Sequence, residues 1–268
     1  MEKEQEERVY FNFPIQLLQG FMVDDKKVLN DIMDYAVYVQ SLNPKLHGSE
    51  TQKINDSAKF FGIILGNSKK SLRVGKELYD SIPEKSPKAG IEKGMIFDFY
   101  ENKKSEFEKI CLLGFLTLKS ILGTKDYCKT NNSLWLARID GQPKAVKIDS
   151  NDFLGNQPFN EYKIELSAEI NKFANEYQTK KMKNELRNNW GLVTYSRFTK
   201  GFYISFNVTD SKGKKRGLNL KELIEVAEIS RKSTKEMEYK QKEKQLIKEV
   251  LQELKTRPLH DHILDLKK

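Results

Sequence analysis

Of 268 residues, only two are cysteines, Cys111 and Cys128, and only three are histidines. So few exclude a disulfide scaffold and most zinc modules. No apolar run approaches the ~18 residues needed to cross a membrane, and mean hydropathy is −0.65. The first residues, Met1 to Glu7, are acidic and lack the apolar core of a secretory signal. The expectation is a cytoplasmic chain with no membrane partner, no metal and no cofactor.

Signatures of catalysis are equally scarce. Gly66 to Lys70 and Gly213 to Lys215 lack the glycine spacing of a phosphate-binding loop. Cys111 falls on an apolar helix face and reads as core. Cys128 has no histidine beside it to lower its pKa and reads as inert. His260-Asp261-His262 stands alone in a polar tail, and His47 falls in a loop. Asp98 and Glu101, three apart, read as the wet side of an amphipathic helix rather than as a metal pair. No catalytic residue is assigned, and the protein is expected not to be an enzyme.

What is abundant is aromatic side chains and positive charge. Fifteen Phe, eleven Tyr and two Trp are ample for a folded core. Lys and Arg number 47 against 38 acids, a formal +9 with a pI near 9.2. A pI this high is a non-specific footprint of nucleic-acid binding. The charge is also uneven. Between Ser167 and Gly217, eleven basic residues stand against four acidic ones, a local excess of seven. Concentrated charge raises phosphate affinity through counterion release. The bland alternative is a lysine-rich, well-solvated surface.

The pattern predicts a mainly α chain with a small antiparallel hairpin. Residues 1–8 read as a disordered acidic tail, and 9–103 as a helical N-terminal domain. Val9 to Ile15 has strand composition. Helices are expected from about Lys26 to Ser41 (capped by Asp24 or Asp25), Gln52 to Leu65, Lys69 to Ser81, Gly90 to Tyr100, and Ser105 to Gly123. In the third, Leu72, Leu78 and Tyr79 should face inward. Thr130 is the expected cap of a three-turn helix closed by Gly141. No internal repeat is visible.

From Ser167 the pattern is helical again, with Ile170, Phe173, Ala174 and Tyr177 on one side. Met182, Leu186 and Trp190 fall almost opposite at ~100° per residue. One straight helix cannot bury both stripes, so a break is expected near Gln178-Thr179, with Thr179 capping a new helix to Trp190. Leu192 to Ser196 and Phe202 to Asn207 then form a hairpin, with Phe202, Ile204 and Phe206 alternating with Tyr203 and Ser205. A basic loop and a long helix from Leu220 to Leu254 fill 209–268.

The order helix, helix, hairpin over residues 105 to 207 resembles the winged-helix DNA-binding proteins. Thr179 to Val193 is similar to the recognition helix and first wing strand of winged-helix transcription regulators and replication initiators. Gly201 to Ile204 resembles their return strand, and Thr130 to Gly141 their second helix. A weaker similarity is to DNA-binding proteins of bacterial plasmids, conjugative elements and phages. The resemblance implies a winged helix-turn-helix domain over 104–208, with the recognition helix in the major groove and the wing as clamp. One departure is plain: 37 residues, Gln142 to Gln178, separate the two helices where a short turn is usual. Either the motif carries an insertion, or Ser167 to Tyr177 is the true second helix.

On this assignment, Lys180, Lys183, Asn184 and Arg187 form one polar face, joined by Lys181 and Asn188. Asn and Arg suit bidentate adenine and guanine readout, whereas Lys more often reaches phosphate. Arg197 and Lys200 sit at the wing tip near Tyr195 and Tyr203, and Lys214, Lys215 and Arg216 follow in the basic loop. The expected partner is double-stranded DNA. RNA, read by stacking on Tyr195 and Tyr203, is a second possibility, and a structural or protein-interaction module with incidental charge a third. Leu246, Ile247, Val250, Leu251 and Leu254 offer a short homodimer seam.

Overall fold

Phe11 and Phe13 are wholly buried while Tyr10 and Asn12 face outward, the period-two signature of a half-buried strand. In the computed structural model this strand, β1 (Tyr10–Pro14), pairs antiparallel with β2 (Lys88–Glu92). The structure describes residues 8–143, 166–196 and 201–206, the strand segments 208–209 and 215–216, and the helical positions 245–249 and 252. The chain divides into two compact units. The first takes Met1–Gly123 and Thr130–Leu186; the second takes Thr124–Lys129 and Arg187–Lys268.

The first unit is helical around this two-stranded ribbon. α1 (Asp25–Ser41) begins where Asp24 accepts from the Lys27 N–H at 2.9 Å and buries Val28, Leu29, Ile32, Met33, Ala36 and Val37. α2 (Glu50–Phe61) is capped by Ser49 and stops at Gly62 (φ 70°), before the expected Leu65. The Ile63 N–H reaches the Ala58 carbonyl and the Gly62 N–H reaches that of Lys59, a Schellman closure that needs the left-handed glycine.

α3 (Ser68–Ser81) packs on α1 through its backbone. Gly75 is its one buried residue, and a Cβ there would lie 2.5 Å from the Asp34 carbonyl oxygen. Leu72 and Leu78 are therefore only half-buried. Tyr79, expected inward, is 41% exposed and rests against Tyr35 and Tyr38.

Gly90 and Ile91 do not start a helix. They belong to β2, opposite Asn12 and Phe11, and α4 runs Lys93–Glu101. Pairing with a strand some eighty residues earlier outweighs local helical spacing. α5 (Glu106–Leu122) opens with a capping box between Ser105 and Glu108 and is apolar almost all round. Its Lys109 Nζ meets Asp25 Oδ2 of α1 at 2.9 Å.

β3 (Cys128–Thr130) precedes α6 (Asn132–Ile139). Thr130 ends the strand, and Asn131 is the cap, accepting from the Leu134 N–H at 2.7 Å. Gly141 (φ 74°) closes α6 with the same pair of bonds seen at Gly62. Beyond it, the Ser167 N–H and hydroxyl both donate to the Asp140 carboxylate, at 2.9 and 2.6 Å. The chain that leaves α6 at Gln142 is thus back beside Asp140 by Ser167. α7 (Ala168–Asn171) is a single turn, shorter than the helix expected over Ser167 to Tyr177. α8 (Glu176–Asn189) follows, with the Gln178 N–H donating to Asn175 Oδ1. The expected break is present but lies a few residues earlier, so Thr179 is inside the helix and buried.

The second unit holds β4 (Leu192–Tyr195) and β5 (Phe202–Phe206), antiparallel with Leu192 opposite Phe206 and Tyr195 opposite Tyr203. β5 is central, in the order β3-β5-β4. Ser205, expected on the outer face, is 1% exposed; its hydroxyl donates to the Asp126 carbonyl, just ahead of the neighbouring strand β3, at 2.7 Å. β6 (Val208–Thr209) pairs antiparallel with β7 (Lys215–Arg216). Residues 1–7, the hairpin tip 197–200 and most of the expected Leu220–Leu254 helix lie outside the described residues. Among the described residues, no helix is long and apolar enough to cross a membrane.

Candidate nucleic-acid interface

α8 is built as a two-faced helix. Thr179, Met182 and Leu186 recur at three and four residues and are buried, the last two completely. Met182 and Leu186 meet α5 at Gly114, where a Cβ would stand 3.5 Å from both Met182 Cε and Leu186 Cδ1, and 3.1 Å from Trp135 Cζ2 of α6. A side chain at this point of α5 would hold α6 and α8 apart.

On the opposite face Lys180, Lys181, Asn184, Arg187 and Asn188 are exposed. Lys180, Asn184 and Arg187, at i, i+4 and i+7, form its central row. Tyr177 joins that row and is 71% exposed. Sequence reasoning placed it inward with Phe173. The break at 172–175 transfers it to α8, three residues before Lys180, and that spacing is the signal that would have found it.

Two of the expected contact lysines have structural work of their own. Lys183 is half-buried; its Nζ donates to Asn132 Oδ1 of α6 at 2.7 Å and lies 5.7 Å from the centre of the Trp135 ring. Lys181 Nζ sits 4.3 Å over the Phe107 ring of α5. Such cation–π contacts are worth ~0.5–1 kcal/mol at exposed sites. Lys183 is therefore a side chain that ties α8 to α6, on the flank of the exposed row.

Of the wing residues, Arg197 and Lys200 lie outside the described residues, as does Lys214; Lys215 and Arg216 form β7, opposite Thr209 and Val208. Tyr203 has neighbours that sequence reasoning did not name. Its ring lies 6.3 Å from that of Tyr127 and 5.8 Å from Lys129 Nζ. Both follow from the pairing of β3 with β5.

Burial pushes the Cys111 thiol up to about 12 and raises that of Cys128, opposite to the activation a nucleophile needs. Asp98 accepts from Asn102 Nδ2 at 2.7 Å and from Lys104 Nζ at 2.6 Å. These donors hold its carboxyl below the usual range. No cluster of metal-ligating side chains occurs among the described residues.

Comparison of the chain with protein-family models, with curated proteins and with solved structures finds no match.

Proposed function

We propose that this protein binds double-stranded DNA with α8 as its recognition helix. The observation that carries the reading is the exposed row Lys180, Asn184 and Arg187 on a helix whose other face, Met182 and Leu186, is fully buried. A helix held rigidly by its apolar stripe can present amide and guanidinium groups to base edges without ordering them first. The chain order also supports a winged helix: α5, β3, α6, α8, β4 and β5, with sheet order β3-β5-β4. On that reading Gln142 to Leu166 is an insertion, since Ser167 returns to Asp140. The hairpin would serve as wing, with Arg197 and Lys200 on backbone phosphates and Lys214, Lys215 and Arg216 adding charge.

The role this supports is a non-enzymatic cytoplasmic DNA-binding protein, a transcription regulator or replication initiator of a bacterial mobile element or phage. Pairing of two copies through Leu246, Ile247, Val250, Leu251 and Leu254 would match a two-fold site. Fluorescence anisotropy against duplex DNA, single-stranded DNA and RNA, from ~50 to 200 mM salt, tests the reading. Preferential duplex binding that weakens steeply with salt is expected. Preference for RNA would shift the site to Tyr203, Tyr127 and Lys129. No binding to any nucleic acid would leave a protein-interaction or structural module.

A further inference from the structure

A second helix in the first unit has an exposed basic face. α1, α2 and α3 pack on one another, and α2 is closed at Gly62 by the same Schellman bonds that close α6 at Gly141. Six residues later α3 begins, capped by Asn67 and tied to α2 by the Ser68 hydroxyl on Asn55. Packed helices with a glycine-containing turn between them also occur in helix-turn-helix motifs, with a shorter turn than the six residues Gly62 to Asn67 that join α2 to α3.

The charge of α3 does not serve the helix itself. Lys69, Arg73 and Lys76, at i, i+4 and i+7, form one exposed row on the flank away from Gly75, with Lys70 also exposed. Lys69 and Lys70 stand in the first turn, whereas Glu77 and Asp80 lie near the end. The helix macrodipole favours the reverse arrangement. α1, α2, α5 and α8 follow the favoured rule, each with an acid in its first turn. Arg73 meets Glu77 at 3.8 Å, but both side chains are about 70% exposed, so the pair neutralises little.

We infer that α3 is a second duplex-binding helix, with Lys69, Arg73 and Lys76 on the phosphates of double-stranded DNA. Charge complementarity selects this occupant. The three cations are spaced along about two helical turns, ~10 Å, and the helix end nearest Lys69 adds positive potential. This contact concerns a different helix from α8 and stands or falls separately from it.

The test compares wild type, the triple variant Lys69→Gln/Arg73→Gln/Lys76→Gln, and Asn184→Ala/Arg187→Ala, on a random duplex of ~30 base pairs across the same salt range. Glutamine keeps helix propensity, and unchanged thermal melts establish that the fold is intact. Loss of three phosphate contacts should cut the slope of log affinity against log salt by about 2 to 3. Lys69→Arg/Lys76→Arg should retain the wild-type slope. If the α3 variant keeps the wild-type affinity and slope while the α8 variant is weakened, this inference fails and the α8 reading stands. If only the α3 variant is weakened, the converse holds. If wild type ignores DNA but binds polyglutamate or RNA through the same three residues, α3 carries a different partner and the inference is overturned.

Discussion

The indole Nε1 of Trp135 donates to the Gly114 carbonyl oxygen at 3.1 Å, and the same ring lies over Gly114 so closely that a Cβ would come within 3.1 Å of Cζ2. Glycine in a helix interior normally weakens it, by about 1 kcal/mol relative to alanine. Here the missing Cβ lets a fully buried tryptophan of α6 and the Met182 and Leu186 stripe of α8 converge on one point of α5.

Gly114→Ala should therefore destabilise the protein, although alanine is the better helix former. Trp135 is held by its own hydrogen bond to this residue and would have to shift by a few tenths of an ångström; overpacking that is not relieved costs about 1–3 kcal/mol. Urea denaturation measures it. A variant as stable as wild type would show that the ring gives way.

Gly75 and Gly94 make a sharper pair. A Cβ at Gly75 would be 2.5 Å from the Asp34 carbonyl oxygen and 2.6 Å from Tyr38 Cβ, and one of these is backbone. At Gly94 in α4 nothing lies within 4 Å. Gly75→Ala should cost ~2 kcal/mol or more by forcing α3 off α1, whereas Gly94→Ala should stabilise by about 0.5–1 kcal/mol. Thermal melts of the two variants with opposite signs are the expected result.

Asp34 makes the same helix contact sensitive to pH. Burial raises its carboxyl above 3.8, partly offset by the Ser71 hydroxyl and by Lys70. A carboxyl raised in the folded state favours folding when protonated. Its contribution is complete below 3.8 and is lost as pH climbs through the raised value. Asp34→Asn should then be more stable than wild type at neutral pH, since the amide oxygen can still accept from Ser71. The margin should close as pH falls toward 3.8. Denaturation midpoints across pH 3 to 8 check this, and a margin that widens in acid would reverse the sign.

How much of this was legible beforehand follows from the range of each interaction. Asp24, Ser105 and Gly141 act as expected because each works within one turn of itself, whereas Thr130 ends a strand and Thr179 lies inside α8, with Asn131 and Asn175 accepting at the helix starts instead. The hairpin read well because period two is local, and Leu192 to Phe206 pair as expected. β2 did not, because its partner Tyr10–Pro14 is distant in sequence and Ala89-Gly90-Ile91 has no strong preference of its own. Ser205 differs for a similar reason: only the order β3-β5-β4 brings the Asp126 carbonyl, some eighty residues earlier, to its hydroxyl. On α8, composition marked the basic face but not that Lys183 reaches back to Asn132, since α6 lies some fifty residues away.

That division of labour on α8 separates two kinds of lysine and arginine effect. Arg187→Ala and Asn184→Ala remove exposed groups from the central row, and each should cost about 1–3 kcal/mol of duplex affinity if it reads a base. Thermal melts of each variant separate a loss of affinity from a loss of folding. Lys183→Ala removes the 2.7 Å bond to Asn132 and the cation over Trp135. Its loss should appear as ~0.5–1.5 kcal/mol of stability, with a smaller effect on affinity. Asn132→Ala should reproduce the stability loss, and the double variant should cost less than the two singles combined, because they share one interaction. If Lys183→Ala instead weakens DNA binding as much as Arg187→Ala while the protein melts normally, the bond to Asn132 is not what holds Lys183 in place, and it belongs in the central row with Lys180.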